Sequence, residues 1–128
     1  MTAAVYDITV EQGATTLIEF RLLDPDNLPF DLTNATARMM FRKSAKDSTI
    51  LATFTSGPGG GLTMGGLNGI ILLSIDAAVT AGYKFAAAVY DLEIATPDIR
   101  FPVSGFVSRV LQGTVTVSPE VTRDNPVI

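Results

Sequence analysis

For chemistry, this chain of 128 residues has thirteen carboxylates, nine lysines and arginines, and neither histidine nor cysteine. Without histidine it lacks the commonest general base and the commonest metal ligand. Without cysteine it has no disulfides, thiolate metal sites or thiol nucleophiles. Ser-His-Asp and Cys-His arrangements are therefore impossible, and a lysine-assisted serine has neither the G-x-S-x-G nor the S-x-x-K context it needs. Paired carboxylates remain as candidates. Asp91 and Glu93 stand two apart in an alternating segment and so share one strand face, which reads as a solvated surface rather than an acid–base pair. Asp24, Asp26 and Asp31 suggest a calcium loop, but the D-x-[DN]-x-[DN]-G run ending in glutamate is missing. Ser56–Gly66 holds six of the eleven glycines. A phosphate cradle would need a G-K-[ST] ending; without one, the segment reads as a mobile loop or hairpin tip. The sequence therefore predicts no enzyme, no cofactor and no metal.

The totals narrow the class further. The net charge is 9 − 13 = −4 and the isoelectric point is near 4.6. Arg38, Arg42, Lys43 and Lys46 are the one local gathering of positive charge, and they suit a protected strand edge better than a nucleic-acid footprint. The longest apolar stretches, Ile70–Ile75 and Phe85–Tyr90, fall far short of the ~20 residues that span a bilayer. Met1–Asp7 has no basic region and no long apolar run. The expectation is a chain made in a cytosol and kept there or released inside a larger particle, with no nucleic-acid or membrane partner. Asn34-Ala35-Thr36 fits a glycosylation acceptor, but nothing else suggests a secretory route.

The elements that must position any site are strands. Val89–Ile94 alternates by twos, with Tyr90, Leu92 and Ile94 facing one way and Asp91 and Glu93 the other. It follows Asp76–Tyr83, which reads as a helical turn capped by Asp76 and stopped by Gly82. Tyr90 is the candidate for the tyrosine that ties its hydroxyl to upstream backbone in immunoglobulin-like domains. Earlier, Tyr6, Ile8 and Val10 share a face, as do Ile18, Phe20 and Leu22, and then Ala37, Met39 and Phe41. Asp24-Pro25-Asp26-Asn27 is a turn, and Lys43–Asp47 a polar hairpin loop. Ile50, Ala52 and Phe54 mark a short strand. The Asn68-Gly69 turn opens Ile70–Ile75, which is apolar on both faces and therefore central, or covered by something beyond the chain. Ile99–Ser108 reads as an edge strand or bulged connection around Pro102 and Gly105. Leu111, Gly113, Val115 and Val117 share a face of the last strand. The result is an all-β immunoglobulin-like antiparallel β-sandwich with one short helical turn. It occupies residues 1–120 as a single domain, followed by an extended tail at 121–128.

Several segments in this order carry a resemblance: Tyr6–Thr15, Leu22-Leu23-Asp24 with Phe30–Thr33, Ala37-Arg38-Met39, Val89–Ile94 and Gly113–Thr122. Together they resemble a family of small tailed-bacteriophage virion proteins. The same module is similar to the immunoglobulin-like N-terminal domains of some baseplate upper proteins and tail fibres. The resemblance implies a non-catalytic virion structural protein, present in multiple copies, docking on tail, baseplate, fibre or capsid subunits. The expected role is a tail or baseplate module that anchors fibres; the alternative is a capsid cement or decoration protein. A host-surface carbohydrate-binding module is a third reading, weakened by the absence of Trp and the presence of only three Tyr. The middle of the chain departs from the family's pattern. The expected partner interface is therefore Gly59, Gly60, Gly61 and Leu62 in the glycine-rich loop, Phe101, Val103 and Phe106 in the later apolar segment, and Val121, Arg123 and Val127 in the tail. Deleting Gly57–Gly61 would test the loop's part in particle incorporation.

Overall fold

Tyr90, Leu92 and Ile94 do alternate inward, and the strand they belong to lies between the two longest partners in the molecule. In this computed structural model, which describes residues 3–122, the strands are β1 (Ala4–Val5), β2 (Ile8–Glu11), β3 (Thr16–Arg21), β4 (Thr36–Arg42) and β5 (Ile50–Thr55). They continue with β6 (Leu62–Met64), β7 (Ile70–Ile75), β8 (Ala87–Thr96) and β9 (Phe106–Ser118). A single α-helical turn, α1 (Ala77–Thr80), joins β7 to β8, and a 3-10 turn (Gly66–Asn68) joins β6 to β7.

Two sheets face each other. One runs β1–β9–β8–β4–β5, with β2 also on β9; the other runs β3–β7–β6. Among the described residues this is an immunoglobulin-like sandwich, all-β apart from those two turns. Pairing is antiparallel except at one edge, where β1 and β2 run parallel to β9. The core lies between the inner faces. At its centre Phe41 meets Phe54 edge-on at 5.0 Å and Tyr90 at 6.4 Å, geometries in which a ring's positive rim meets a negative face.

Local chemistry sets several boundaries as the sequence predicts. The Asp24 carboxylate accepts from the backbone N–H groups of Asp26 and Leu28, closing the Asp24–Asn27 turn. Asp76 caps α1 by accepting from Ala78 N–H at 2.9 Å. The turn ends at Ala81, and Gly82 follows directly, its N–H donating to the Val79 carbonyl without the positive φ that calls for a glycine.

Other expectations are corrected. The glycine-rich stretch is not one loop: Leu62 is 4% exposed and its strand β6 completes the smaller sheet. Gly61 is packed too, because a Cβ there would meet the Phe54 ring at 3.0 Å and the Ser74 carbonyl at 3.2 Å. The turn before it, around Pro58 and Gly59, is open surface. Ile70–Ile75 is the central strand of its sheet, with Ile71 and Leu73 fully buried, and its outer-facing Ile70 and Leu72 are half-buried. The Ile99–Ser108 segment is neither edge nor bulged connection. It is the tip and first three rungs of the β8–β9 hairpin, because the register runs through Ile94 opposite Ser108 and Ala95 opposite Val107 to Thr96 opposite Phe106.

β9 does carry a bulge, further along. Leu92 faces Leu111 and Glu93 faces Arg109, so Val110 is the extra residue between them. That insertion lets consecutive side chains, Val110 and Leu111, both turn inward. Strict alternation along β9 predicts only one of them.

Candidate docking surface

The hairpin tip, residues 97–105, is held by polar groups and presents apolar ones. Asp98 organises it. The Arg100 guanidinium donates to both oxygens of the Asp98 carboxylate, at 3.0 and 2.7 Å, and Arg100 N–H donates to the same carboxylate at 2.9 Å. These bonds hold the Asp98 carboxyl below the usual carboxylate range. Phe101 N–H donates to the Asp98 carbonyl, and Gly105 N–H donates to the Phe101 carbonyl at 2.8 Å. Gly105 closes the loop at φ +73°, where a Cβ would come within 2.5 Å of the Thr96 carbonyl.

With its polar groups turned on one another, the tip shows carbon to solvent. Ile99 is 97% and Val103 99% exposed; Phe101, Phe106 and Val107 are about half exposed. Phe101 and Phe106 pack edge-on at 6.1 Å, and the Arg100 guanidinium lies 5.5 Å from the Phe101 ring centre. The tip is thus a neutral, pre-shaped apolar knob: its two charges cancel and its two rings brace each other. Exposed apolar surface of this kind is expensive to keep in water and marks interaction sites.

The predicted interface residues divide accordingly. Phe101, Val103 and Phe106 come together at the tip, joined by Ile99 and Val107, which bound the same apolar segment but were not among the expected interface residues. The signal was available, since both belong to the apolar stretch Ile99–Ser108. Gly59 is exposed at φ +70° with open space around it. Gly60 packs on the Thr55 backbone, Gly61 packs on Phe54, and Leu62 is core, so none of these three offers docking surface. The deletion of Gly57–Gly61 would cut into the core and is not a clean test of the loop. Val121 is exposed at the end of the described chain, while Arg123 and Val127 lie outside the described residues.

Two further surfaces stand out. On the outer face of the six-stranded sheet, Glu93 pairs with Arg38 at 2.9 Å and Asp91 with Arg109 at 3.3 Å. Those carboxylates are thus spent on exposed cross-strand ion pairs, each worth under about 1 kcal/mol. Among the described residues no group of three or more acidic side chains gathers into a metal set; Asp24 and Asp31 serve their own turns.

The second surface is an apolar groove of about 400 Å³ at the sandwich edge, between the end of β3 and β9. It is lined by Ala4, Leu22, Leu23, Phe30, Val110 and Leu111, with Arg21 and Asp24 also on its wall. Its β9 wall lies part-way along that strand, where Leu111 faces Leu92 of β8 on one side and Ala4 of β1 on the other.

No family model matches the chain, and no curated protein matches it. Solved structures do resemble it in fold. A structure described as "Tim-1" aligns with TM-score 0.45 and 10% identity over 95% of this chain and 99% of that one. A chain from "Structural basis of T cell specificity and activation by the bacterial superantigen toxic shock syndrome toxin-1" gives 0.46 and 15% over 88% and 92%. Another, from the extracellular domains of the voltage-gated sodium channel beta4 subunit, gives 0.44 and 13% over 94% and 97%. The immunoglobulin-like architecture rests on the strand order and register described above.

Proposed function

We propose that this chain is a non-catalytic structural protein of a tailed-phage virion, an immunoglobulin-like module that docks in the tail or baseplate and connects fibres to other virion proteins. The observation that carries the docking role is the β8–β9 tip, where Ile99 and Val103 stand almost wholly in solvent beside the braced Phe101–Phe106 pair. Interface cores are built from such aromatic and aliphatic anchors, with charges few or paired. The virion setting rests on the resemblance of the segments Tyr6–Thr15, Val89–Ile94 and Gly113–Thr122. Residues 99–107, where the chain departs from that family, include most of the apolar tip, as expected if the shared sandwich carries a partner-specific hairpin.

The test is mass spectrometry of purified particles separated into heads and tails, following this chain's peptides. Enrichment with tails or baseplates supports the reading. Enrichment with heads moves the protein to the capsid as a decoration subunit, and absence from both fractions removes it from the virion.

A further inference from the structure

We infer that the free edge of β3 pairs antiparallel with β3 of a second copy, joining the two smaller sheets into one across a two-fold axis. The inference does not depend on the reading of the tip. Its first support is the backbone. Beside β7, Leu22 N–H donates to the Gly69 carbonyl, so the even-numbered residues of β3 are the ones bonded to that strand. The N–H and carbonyl groups of Leu17, Glu19, Arg21 and Leu23 point the other way, where no strand lies beside them among the described residues. Ile18, which faces inward, is left half-buried at this edge. The other edges are blunted. β1 has two residues, β2 four and β6 three, and the ladder of β4 with the edge strand β5 shifts register between Phe41 and Arg42. β3 instead pairs with β7 from Thr16 to Arg21 without a shift. A regular edge with unpaired backbone groups is a template for another strand.

The second support is the order of side chains along that edge, which names the occupant. Leu17, Glu19, Arg21 and Leu23 all stand exposed on the outer face, in the order apolar, acid, base, apolar. An antiparallel copy centred on Phe20 reads this order backwards. Leu17 then faces Leu23 and Glu19 faces Arg21, each twice over, and these same residues carry the free backbone groups, so every pair exchanges N–H and carbonyl both ways. The neighbouring register that keeps those bonds, centred on Glu19, sets Glu19 against Glu19 and is disfavoured. Within one copy, Arg21 Nε and Nη2 both contact Glu19 Oε2 at 2.9 Å, an exposed pair of little worth by itself, and Glu19 Oε1 has no partner among the described residues. The charges thus choose the register, while the backbone makes the contact. Any extended chain can meet the backbone row; the mirrored side-chain order matches β3 itself.

The experiment is sedimentation analysis of the full chain from micromolar to near-millimolar concentration, with amide hydrogen exchange followed at both ends of that range. The expected result is a reversible dimer in which the Leu17, Glu19, Arg21 and Leu23 amides gain protection with concentration, while those of Ile18 and Phe20, bonded to β7, are protected throughout. Glu19→Arg and Arg21→Glu change exposed side chains, and thermal melts confirm that both variants fold. Each should weaken the dimer by roughly tenfold or more, because like charges then stand opposite one another twice. An equimolar mixture of the two variants recovers the association, since every acid again faces a base. A chain that stays monomeric throughout overturns the inference. So does a dimer whose edge amides stay unprotected, a dimer that neither reversal weakens, or a mixture with no recovery. Such a failure would leave the docking role of the tip standing, because the two surfaces share no residue.

Discussion

The Tyr90 hydroxyl donates a 2.5 Å hydrogen bond to the carbonyl of Tyr6, 84 residues earlier in the chain. The tie crosses from the central strand to the sheet edge, over Gly113, and pins the break between β1 and β2. It is long-range, whereas a tyrosine corner bonds within its own stretch of chain. Asp7 adds a second anchor beside it by accepting from Thr114 N–H at 3.0 Å.

Removing that tie is expected to cost stability. Tyr90→Phe should lose about 1 kcal/mol, the usual contribution of one buried hydrogen bond. Tyr83 is the contrasting case: it is buried, and its hydroxyl has no protein partner among the described residues. Tyr83→Phe should be neutral or gain up to about 1 kcal/mol, since it removes a desolvated hydroxyl that forms no protein hydrogen bond. Urea unfolding of the two variants checks both signs; equal losses would contradict the account.

The same tyrosine gives a pH dependence. Burial, then the Asp7 charge and then Tyr6, push the Tyr90 hydroxyl well above its ordinary pKa. A tyrosine in the unfolded chain ionises near about pH 10. The stabilisation is therefore fully present below that pH and is lost as pH rises from there towards the folded value. Alkaline unfolding should show wild type losing its advantage over Tyr90→Phe above about pH 10, and an advantage that stays constant into strong base would count against it.

Gly113 should tolerate no side chain. A Cβ there would lie 2.3 Å from the Tyr6 carbonyl, a backbone atom that cannot swing aside. Gly113→Ala should cost about 1–3 kcal/mol through overpacking. The cost should appear locally, as faster hydrogen exchange at Tyr6 N–H, which donates to the Gln112 carbonyl. Unchanged protection at Tyr6 would show that the edge can relax.

Leu62 and Pro58 lie four residues apart in the glycine-rich stretch and should behave oppositely. Leu62→Ala removes a core side chain and should cost about 2–4 kcal/mol. Pro58→Ala, in the open turn, should cost under about 1 kcal/mol. Thermal unfolding of both variants decides the matter; similar small losses would return the whole stretch to a loop.

At the tip, acid should release the clasp. The Asp98 carboxyl is held low by its bonds from Arg100, so the clasp is intact above the unfolded value of about 3.9 and is lost as pH falls through a lower folded value. Following the Arg100 and Phe101 amide signals through an acid titration should give a midpoint below about 3.9, and Asp98→Asn should abolish the transition. A midpoint at or above that value would mean the clasp is not formed in solution.

The sequence by itself determined what depends on neighbours in the chain. Tyr90, Leu92 and Ile94 alternate inward because a strand's period is two whatever it pairs with. The Asp24 turn and the Asp76 cap were legible for the same kind of reason, since a short carboxylate side chain meets backbone N–H groups two to four residues on. Part of the candidate site could also be read, because Phe101, Val103 and Phe106 stand out as apolar residues in a turn-bounded run.

The tertiary structure decided what depends on distant partners. Only the register of β8 against β9 makes residues 97–105 a hairpin tip and brings Ile99 beside the other exposed side chains. Only the pairing of β6 with β7 in the second sheet turns Leu62 from loop to core, because glycine-rich sequence grants conformational freedom without saying where the chain must go. The parallel seating of β1 and β2 on β9 and the extra residue at Val110 are likewise products of long-range pairing. So is the groove at Leu22 and Leu111, whose walls come from segments almost ninety residues apart. Local periodicity carries no term for any of them, since the free energy that fixes each one lies in a contact between segments far apart in the chain.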